Sequence, residues 1–484
     1  MSQEEHPAGE PQASARQEAR AEPAETEQYR DKVMKTLRVK LPDRPGSFAR
    51  VATAIGETGA LLGDIVRVQV STHFVVRDVM VYVNDAEHLE EVVGAVRALE
   101  GVQVLEVRDE VLSAHRGGKI RVTSTVPVRT VTELRIIYTP GVAQVAQLLQ
   151  EEPEKLRDYT AVGNTVAIVT NGTAVLGLGN VGVRAALPVM EGKAALLDAM
   201  VGVGCMPILV DSRSPQEVVR VVQRIATGFG MILLEDIAAP ACFEVEESLR
   251  QSLDIPVFHD DQHGTAVVVV AALINALKMT ERNKEGLGVL VSGAGAAGMA
   301  IARKLLYFGV QDVVVCDRAG ALYQGRRGRM TRYKADLAAV TNPKNLRGPI
   351  AEVIRGRDVF IGVSTAHLVT EEMVRRMAPD PIVFALANPV PEIEVKAALA
   401  AGAAVAADGR TINNALGFPG ITRGALDARA RVINEAMELA AAEALAEQTP
   451  AGGLVPEFLN REVHRAVAAK VAEAARYSGA APPF

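Results

Sequence analysis

The stretch "GVLVSGAGAAGMAIARKLLYFGV", residues 288–310, joins an apolar strand, a glycine-rich turn and an uninterrupted helical run. Its three glycines follow the G-x-G-x-x-G spacing that lets a backbone approach a pyrophosphate at a helix N-terminus. The next apolar run, "DVVVCD", ends at Asp317, where a carboxylate can accept a hydrogen bond from a ribose hydroxyl. The pattern therefore predicts a dinucleotide site formed by Gly293, Gly295, Ala296, Ala297, Gly298 and Asp317.

Two features near the end of that strand bear on which dinucleotide binds. The acid at Asp317 favours NAD. Arg318 and the stretch "GRRGR" at 325–329 could instead reach the 2′-phosphate of NADP. We therefore expect NAD as the cofactor and keep NADP as an alternative.

Further alternation of apolar strands and helical stretches extends the predicted sheet. Strands are expected in "DVFIGVS" (358–364), "PIVFALANP" (381–389) and "AAVAADG" (403–409). This order predicts a Rossmann-type, doubly wound α/β domain over residues 280–415. A second glycine pattern, "GLGNVG" at 177–182, precedes Pro188, which should interrupt a helix, and we expect only a tight loop there.

Composition limits the classes of function. The 484 residues exceed the roughly 250–300 at which single cores stop growing, so two or three domains are expected. The net charge of -6 argues against nucleic-acid binding. The apolar runs are too short to span a membrane, and three cysteines without a paired pattern suit the cytoplasm. Residues 1–32 predict a disordered tail.

Residues 33–114 predict a separate module. Strands and helices follow one another as βαββαβ, the order of a ferredoxin-like fold. Asp43, Pro45 and Gly46 form an Asp-x-Pro-Gly turn, and in this the module resembles the ACT regulatory domain. Such a turn can present backbone N–H groups to a ligand carboxylate, which predicts a small-molecule effector site. A plain strand-to-helix turn remains the alternative.

The stretch "VFHDDQHGTA" (257–266) places two histidines around two aspartates. A zinc-peptidase site needs both histidines on one continuous helix, with a glutamate after the first. Pro256 discourages a helix reaching back from His259, and Asp260 stands where that glutamate would be. We therefore expect His259 and His263 to support the site or cap a helix rather than bind metal.

A second pair of acids ends another predicted strand. In "GMILLEDIAAP" (230–240), the run "MILL" is followed by Glu235 and Asp236, much as the predicted strand "IPVF" (255–258) precedes Asp260 and Asp261. Ligands of doubly wound sheets bind at the carboxyl ends of strands, so the two pairs are expected in one crevice. Carboxylate oxygens suit Mg²⁺ or Mn²⁺, and the sequence predicts a site for such a cation.

A set of motifs resembles the malic enzymes in order and approximate spacing over residues 125–440. The resemblance implies oxidative decarboxylation of L-malate to pyruvate and CO2, with NAD or NADP and with Mg²⁺ or Mn²⁺. The motifs are "RIIYTPGVA" (135–143), "VLGLGNVG" (175–182), "MEGKAALLDAMVGV" (190–203), "LEDIAAP" (234–240), "VFHDDQHGTA" (257–266), "ALANP" (385–389) and "NNALGFPG" (413–420).

The resemblance also implies roles for individual residues. Lys193 would take the proton of the malate C2 hydroxyl, and burial would disfavour its ammonium form. Asp260 would orient or tune Lys193, and Tyr138 would protonate C3 of enolpyruvate. The metal ligands would be Glu235, Asp236 and Asp261.

Amides would hold the substrate. Asn388, together with Asn414 or Asn413, resembles the amides that grip the substrate carboxylates, and Asn388 also borders the cofactor site. Large animal-type malic enzymes carry an arginine before their "ILGLG", where this chain has Ala174. Another group must therefore grip a carboxylate of malate.

The remaining predictions concern organisation. Residues 120–279 would form the malate- and metal-binding domain, and residues 416–484 would supply helices, at 423–447 and 456–477, that pack on it or on a partner in a homo-oligomer. Two alternatives stay open. The chain could oxidise another 2-hydroxy acid without decarboxylation, or it could be a non-catalytic metabolite sensor.

Overall fold

Two compact units make up the chain. The structure, a computed structural model, describes residues 29, 32–175 and 177–482. The described residues up to Lys119 form one unit, and those from Ile120 onward form the other. The tail predicted for residues 1–32 lies almost entirely outside the described residues.

The first unit has the predicted βαββαβ order. Its antiparallel sheet has the strand order β2-β3-β1-β4. Alternate residues of β1, Leu37, Val39 and Leu41, are buried against the two long helices, as period-two patterning requires. The elements are β1 (Val33–Pro42), α1 (Ser47–Glu57), β2 (Leu61–Val70), β3 (Phe74–Val83), α2 (Ala86–Arg97), β4 (Gln103–Asp109) and α3 (Glu110–His115).

The second unit begins with a four-stranded parallel sheet. Its strand order is β6-β5-β7-β8, so the carboxyl ends of β7 and β8 are neighbours. The strands are β5 (Thr165–Thr170), β6 (Gly204–Leu209), β7 (Met231–Leu234) and β8 (Val257–His259). The helices around them are α4 (Val131–Ile137), α5 (Val142–Glu151), α6 (Leu156–Tyr159), α7 (Val183–Val201), α8 (Pro215–Ile225), α9 (Ala241–Ser252) and α10 (Thr265–Met279).

The interruption expected at Pro188 was wrong. Pro188 lies inside the continuous helix α7. Proline removes one backbone donor, but one face of α7, including Met190, Ala194 and Leu197, is buried in the core. Packing of such a face supplies most of a helix's stability, so it holds α7 together across the proline.

The third sheet carries the glycine fingerprint. Five parallel strands run in the order β10-β9-β12-β13-β14, and the short β11 adds an antiparallel edge, which confirms the Rossmann-type prediction. The strands are β9 (Gly288–Ser292), β10 (Asp312–Asp317), β11 (Gly320–Ala321), β12 (Val359–Gly362), β13 (Ile382–Ala385) and β14 (Val405–Asp408). The helices are α11 (Ala296–Phe308), α12 (Arg332–Val340), α13 (Ile350–Val353), α14 (Glu371–Arg375) and α15 (Val395–Ala400).

Helix α10 forms the centre of the second unit. Together with the π-helical turn Asp260–Gly264 before it, it is long and apolar enough to cross a membrane, but 72% of that stretch is buried inside the protein. The core helix of a folded domain passes the same test. It is the one such stretch among the described residues.

Three helices close the chain and pack on one another: α16 (Phe418–Asp427), α17 (Glu435–Glu447) and α18 (Arg461–Tyr477). Helix α17 also packs on α10, and α16 and α18 pack on α7. The single helix predicted for 423–447 was wrong, because the chain breaks and restarts where the side chain of Asn434 caps α17. The helix predicted for 456–477 starts later, at the cap Asn460. Gly424 lets α16 approach α18, since a Cβ there would lie 2.5 Å from the Ala468 carbonyl oxygen.

Candidate active site

The glycine turn after β9 has the geometry that a dinucleotide site needs. Gly293 has a φ of 120°, and a Cβ there would lie 2.7 Å from the Val363 carbonyl oxygen. A Cβ on Gly298 would lie 1.9 Å from the Gly293 carbonyl oxygen, so only glycine lets α11 begin this close to the turn. Gly295 stands at the N-cap, and α11 starts at Ala296. The helix N-terminus thus faces the turn, as a pyrophosphate site requires.

Asp317 ends β10 beside this turn and is engaged by two cations. Its Oδ1 accepts from Arg326 Nη2 at 2.7 Å, and its Oδ2 accepts from Lys334 Nζ at 2.7 Å. Burial acts to raise the pKa of Asp317, but the bonds from Lys334 and Arg326 outweigh it and lower the pKa. The sequence pointed to the arginines near 325–329, whereas Lys334 was missed.

Three carboxylates meet where β7 and β8 end. One oxygen each from Glu235, Asp236 and Asp261 lie within 4.8 Å of one another. Leu234 and His259 pair at the ends of the two strands, so the residues that follow must emerge side by side. The structure thus brings the two predicted acidic pairs together in one crevice.

The backbone at Asp236 is adapted to this arrangement. Asp236 has a φ of 55°, in the left-handed region, and its N–H donates to Asp261 Oδ2 at 2.9 Å. Its carbonyl oxygen accepts from the backbone N–H groups of Thr173 and Ala174. Such strained conformations persist only where surrounding contacts hold them, and they concentrate at functional sites.

Lys193 projects from α7 into the same crevice. Its Nζ lies 2.5 Å from Glu235 Oε2, forms an ion pair with Asp260, and lies 4.5 Å from the centre of the Phe418 ring. Burial acts to lower the pKa of Lys193, but the carboxylates of Asp260 and Glu235 outweigh it and raise the pKa. Burial thus disfavours the ammonium form, as expected, but the negative charge of the neighbouring carboxylates outweighs this effect.

Asp260 joins Lys193 to the last of the predicted motifs. Its buried Oδ2 also accepts from Asn414 Nδ2 at 2.9 Å. Burial raises the pKa of Asp260 to about 6. Asn413 instead caps its own turn, where its Oδ1 accepts from the Ala415 N–H at 2.9 Å. Of the two asparagines, the structure brings Asn414 into the site.

We call Lys193, Glu235, Asp236, Asp260 and Asp261 the lysine–carboxylate cluster. Four carboxylates face one ammonium in it, and burial together with its negative neighbours raises the pKa of Glu235 well above the usual range. A cluster with this surplus of negative charge and this set of oxygen atoms fits a hard divalent cation.

Two other predicted residues lie on exposed loops. Tyr138 ends α4 with its side chain 65% exposed, and its hydroxyl makes no hydrogen bond to any described residue. Asn388 lies after β13, where its carbonyl oxygen would be 2.5 Å from a Cβ on Gly177. The "GLGNVG" segment therefore forms a tight loop against Asn388, and each of its three glycines has a positive φ.

The histidines do not reach the carboxylates that could hold a cation. His259 is fully buried, its Nδ1 is 3.7 Å from Asp261 Oδ2, and burial lowers its pKa. His263 bridges Glu246 Oε1 at 2.8 Å and Glu438 Oε1 at 3.2 Å, and Lys304 approaches Glu438 at 2.6 Å.

We call Glu246, His263, Lys304 and Glu438 the linking cluster, because it joins α9, α11 and α17 to the turn Asp260–Gly264. Burial acts to lower the pKa of His263, but the two glutamates raise it to about 10. The sequence motifs did not include its other three members. The sequence signal for these three residues is a charged residue on the otherwise apolar face of a helix.

A Rossmann-type glycine turn next to a buried lysine–carboxylate cluster defines a nicotinamide-nucleotide-dependent oxidoreductase. Family models match the chain as malic enzyme, N-terminal domain (117–216), malic enzyme, NAD binding domain (262–476) and ACT domain (32–106). The chain belongs to the malic enzyme family and carries an ACT domain, as the motifs implied.

Individual relatives agree with this assignment. The chain is 46% identical over 445 residues to NAD-dependent malic enzyme 1 of Bacillus subtilis (strain 168), covering 92% of this chain and 98% of that protein. It is 45% identical over 459 residues to the NAD-dependent malic enzyme of Geobacillus stearothermophilus, covering 92% and 95%. The crystal structure of malic enzyme from Pyrococcus horikoshii is similar with a TM-score of 0.75 and 41% identity, over 78% of this chain and 92% of that one.

Proposed function

We propose that this chain converts L-malate to pyruvate and CO2 while reducing NAD, and that it requires Mg²⁺ or Mn²⁺. One observation carries the proposal: Lys193 pairs with Asp260, on a turn that packs against the dinucleotide helix α11. A proton acceptor for an alcohol and an acceptor site for hydride are therefore neighbours. The relatives named as NAD-dependent malic enzymes support the same reaction.

Lys193 is the proposed base. Its amine takes the proton of the malate C2 hydroxyl as hydride leaves C2 for the nicotinamide ring. Lys193 must be deprotonated to act as a base, and Asp260, which is hydrogen-bonded to its Nζ, orients it. Asn414 holds Asp260 from the other side.

Three carboxylates are the proposed cation ligands. Glu235, Asp236 and Asp261 offer hard oxygen atoms within a few ångströms of one another. When bound, Mg²⁺ or Mn²⁺ supplies Lewis-acid stabilisation of negative charge on the oxygen at C2. Asn388 and Asn414 are the proposed amides for the substrate carboxylates, and Ala174 leaves no arginine at the position that performs this task in large animal-type enzymes.

Tyr138 is the proposed acid that protonates C3 of enolpyruvate. The helices on either side of it, α4 and α5, contain no buried residue. Several apolar side chains of this segment are exposed, and the lysine–carboxylate cluster of the same chain lacks an acid of this kind. We therefore propose a homo-oligomer in which a second copy covers the segment and receives Tyr138. The exposed side chains are Val122, Val128, Val131, Ile136 and Tyr138.

Mixing two inactive variants tests this assembly. Lys193→Ala and Tyr138→Phe each remove one group, but in a mixed dimer one site regains both if Tyr138 crosses between copies. Co-expressed variants should then recover about a quarter of the wild-type activity per chain. If the mixture stays as inactive as its parts, Tyr138 acts within its own chain or does not act.

The ACT domain is the proposed effector site. Gly46, with a φ of 84°, ends the turn of Asp43 and Pro45 and precedes α1, whose first N–H groups suit a carboxylate-bearing effector. Binding there should change malate affinity or turnover through a coupling of about 1–3 kcal/mol. The test screens amino acids and central metabolites for a change in malate KM, with Gly46→Val as the variant that should lose the response. If Gly46→Val keeps the full response, the effector binds elsewhere in the protein.

The reaction itself is tested by its stoichiometry. Malate with Mn²⁺ and NAD should release one CO2 per hydride transferred, measured together as trapped gas and nicotinamide absorbance. Hydride transfer without CO2 would favour oxidation of another type, in which a 2-hydroxy acid becomes a stable 2-oxo acid. If the protein turned over no 2-hydroxy acid, the alternative of a non-catalytic metabolite sensor would remain.

A further inference from the structure

Glu392 is a fully buried carboxylate that the proposed reaction does not use. It follows β13 in the Rossmann-type domain, and none of the ion pairs among the described residues includes it. Burial raises the pKa of Glu392, although hydrogen bonds from backbone N–H groups act against this effect. A buried charge without a cation is costly, so the hydrogen bonds that Glu392 accepts must offset that cost.

Those hydrogen bonds join the ends of two neighbouring parallel strands, β12 and β13. Glu392 Oε1 accepts from the Ser364 N–H at 2.7 Å, just after β12, and Oε2 accepts from the Ala387 N–H at 3.0 Å, just after β13. A Cβ on Gly362 would lie 2.6 Å from either carboxylate oxygen, so only glycine at the end of β12 leaves room for the carboxylate. One planar group thus fixes the distance between the two segments.

The two segments lead to different parts of the candidate active site. On the β12 side, Ser364 Oγ lies 3.0 Å from the Oγ of Ser292, the last residue of β9 before the dinucleotide turn. On the β13 side, Ala387 directly precedes Asn388, whose exposed side chain is the proposed substrate amide. A continuous set of hydrogen bonds through Glu392 therefore connects the dinucleotide turn to the substrate amide.

We infer that Glu392 is a positioning residue, which holds Asn388 at a fixed distance from the dinucleotide turn so that its amide can grip malate beside the cofactor. A group that orients a substrate must be held within about 0.5 Å of its working position by the hydrogen bonds behind it. Glu392 acts through the backbone at Ala387 and not by its own contact with malate. The inference rests on the proposed function for the role of Asn388.

Amide hydrogen exchange of the full-length protein tests the contacts of Glu392 without any turnover. In Glu392→Gln the side chain keeps its length, but its NH2 group faces one of the two N–H donors and cannot accept from it. The segments 362–368 and 384–390 should therefore exchange about tenfold faster in at least one case, with the rest of the protein unchanged. Glu394→Gln is the matched control: Glu394 is exposed two residues further along, and its replacement should change neither segment.

A double-mutant cycle separates positioning from general support of the fold. Glu392→Gln should raise the malate KM about tenfold and change the Kd of NAD, measured without malate, by less than about threefold. Asn388→Ala should raise the malate KM to a similar extent. The double variant should be no worse than the poorer single variant, because Glu392 acts through Asn388.

Ser364→Ala is a milder variant, which removes only the hydroxyl bonds to Glu392 and Ser292 and keeps the backbone bond. It should raise the malate KM about threefold, and it keeps the inference testable if Glu392→Gln does not fold.

Several outcomes would overturn the inference. One is an unchanged malate KM in Glu392→Gln, and another is a double variant whose losses add, as they would for a purely structural carboxylate. A wild-type malate KM in Asn388→Ala would remove the role of Asn388 and the inference with it. If the wild type did not turn over malate at all, the proposed function would fail, whereas unchanged exchange in Glu392→Gln would show separately that Glu392 does not hold the two segments.

Discussion

Two buried groups of charged side chains lie on the two sides of the turn Asp260–Gly264. In the linking cluster, His263 and Lys304 face Glu246 and Glu438, so positive and negative charges balance. In the lysine–carboxylate cluster, four carboxylates face one ammonium. Burial raises the pKa of a carboxyl in both places, but its neighbours lower that of Glu438 to about 2, whereas Glu235 stays well above the usual range.

The linking cluster is a structural group of charges, and the lysine–carboxylate cluster is a functional one. Balanced charges satisfy each other and fasten helices to the turn. Unbalanced charges raise the free energy of the folded protein until a cation or substrate joins them, which is the condition for a binding site. Buried carboxylates therefore serve opposite purposes on the two sides of the turn.

Removing the single cation of the functional cluster should have the largest effect. Lys193→Ala should lower malate turnover by at least about a thousandfold, since the base is lost, while saturating Mn²⁺ offsets the lost positive charge and keeps the protein folded. The measurement is malate-dependent NADH formation at saturating Mn²⁺, with circular dichroism to check folding. Lys344→Ala, at an exposed ion pair, is the control and should keep its rate. A normal rate in Lys193→Ala would sink the proposed role.

Removing one negative charge from the linking cluster should destabilise the protein. Glu438→Gln leaves His263 and Lys304 without one of their partners and should destabilise the protein by about 3 kcal/mol in urea unfolding. Glu443→Gln, exposed on the same helix, should change stability by less than about 0.5 kcal/mol. Similar values for both variants would show that the cluster contributes little.

Binding of a divalent cation to the lysine–carboxylate cluster should stabilise the protein. Mn²⁺ at a hundredfold excess over its Kd should add about 2.7 kcal/mol to the unfolding free energy, because it binds only the folded state. Asp261→Asn should lose most of this gain, since a ligand and a charge disappear together. Titration calorimetry checks the Kd, and undiminished Mn²⁺ stabilisation in the variant would rule out Asp261 as a ligand.

Removing a negative charge from the lysine–carboxylate cluster should stabilise the protein, whereas removing Glu438 from the linking cluster should destabilise it. Glu235→Gln relieves repulsion among the carboxylates and should stabilise the protein without Mn²⁺ by about 1 kcal/mol, although it lowers Mn²⁺ affinity. Thermal unfolding in EDTA is the measurement. A loss of stability as large as that of Glu438→Gln would erase the distinction between the two clusters.

The smallest effect concerns pH. Glu438 has a folded pKa of about 2 against an ordinary 4.5, so its carboxylate stabilises the fold fully above about pH 4.5 and less as the pH falls toward 2. The stability difference between wild type and Glu438→Gln should therefore shrink over that interval. A difference that stays constant between pH 5 and pH 3, in urea titrations, would mean that charge is not its cause.

The parts that sequence predicted well depend on local pattern. Glycine spacing and the apolar runs around it determine the turn at Gly293, because only glycine tolerates that φ and that approach of the helix. The carboxyl ends of neighbouring parallel strands lie at one edge of a sheet, so the sequence alone places Glu235 and Asp261 together.

Contacts between segments that are far apart along the chain could not be predicted from local sequence pattern. Asn414 meets Asp260 across 154 positions of the chain, and nothing local distinguishes it from Asn413. The protonation of Lys193 depends on carboxylates from two strands, and Pro188 is held inside a helix by packing.

The sequence by itself determined the fold class, the dinucleotide turn and the acidic strand ends, since these follow from periodicity and from what glycine and parallel strands permit. Only the tertiary structure decided the carboxylate neighbours of Lys193, the partners of His263 and the engagement of Asp317 by Lys334. Electrostatic energies depend on distances between side chains that are far apart along the chain, and folding sets those distances.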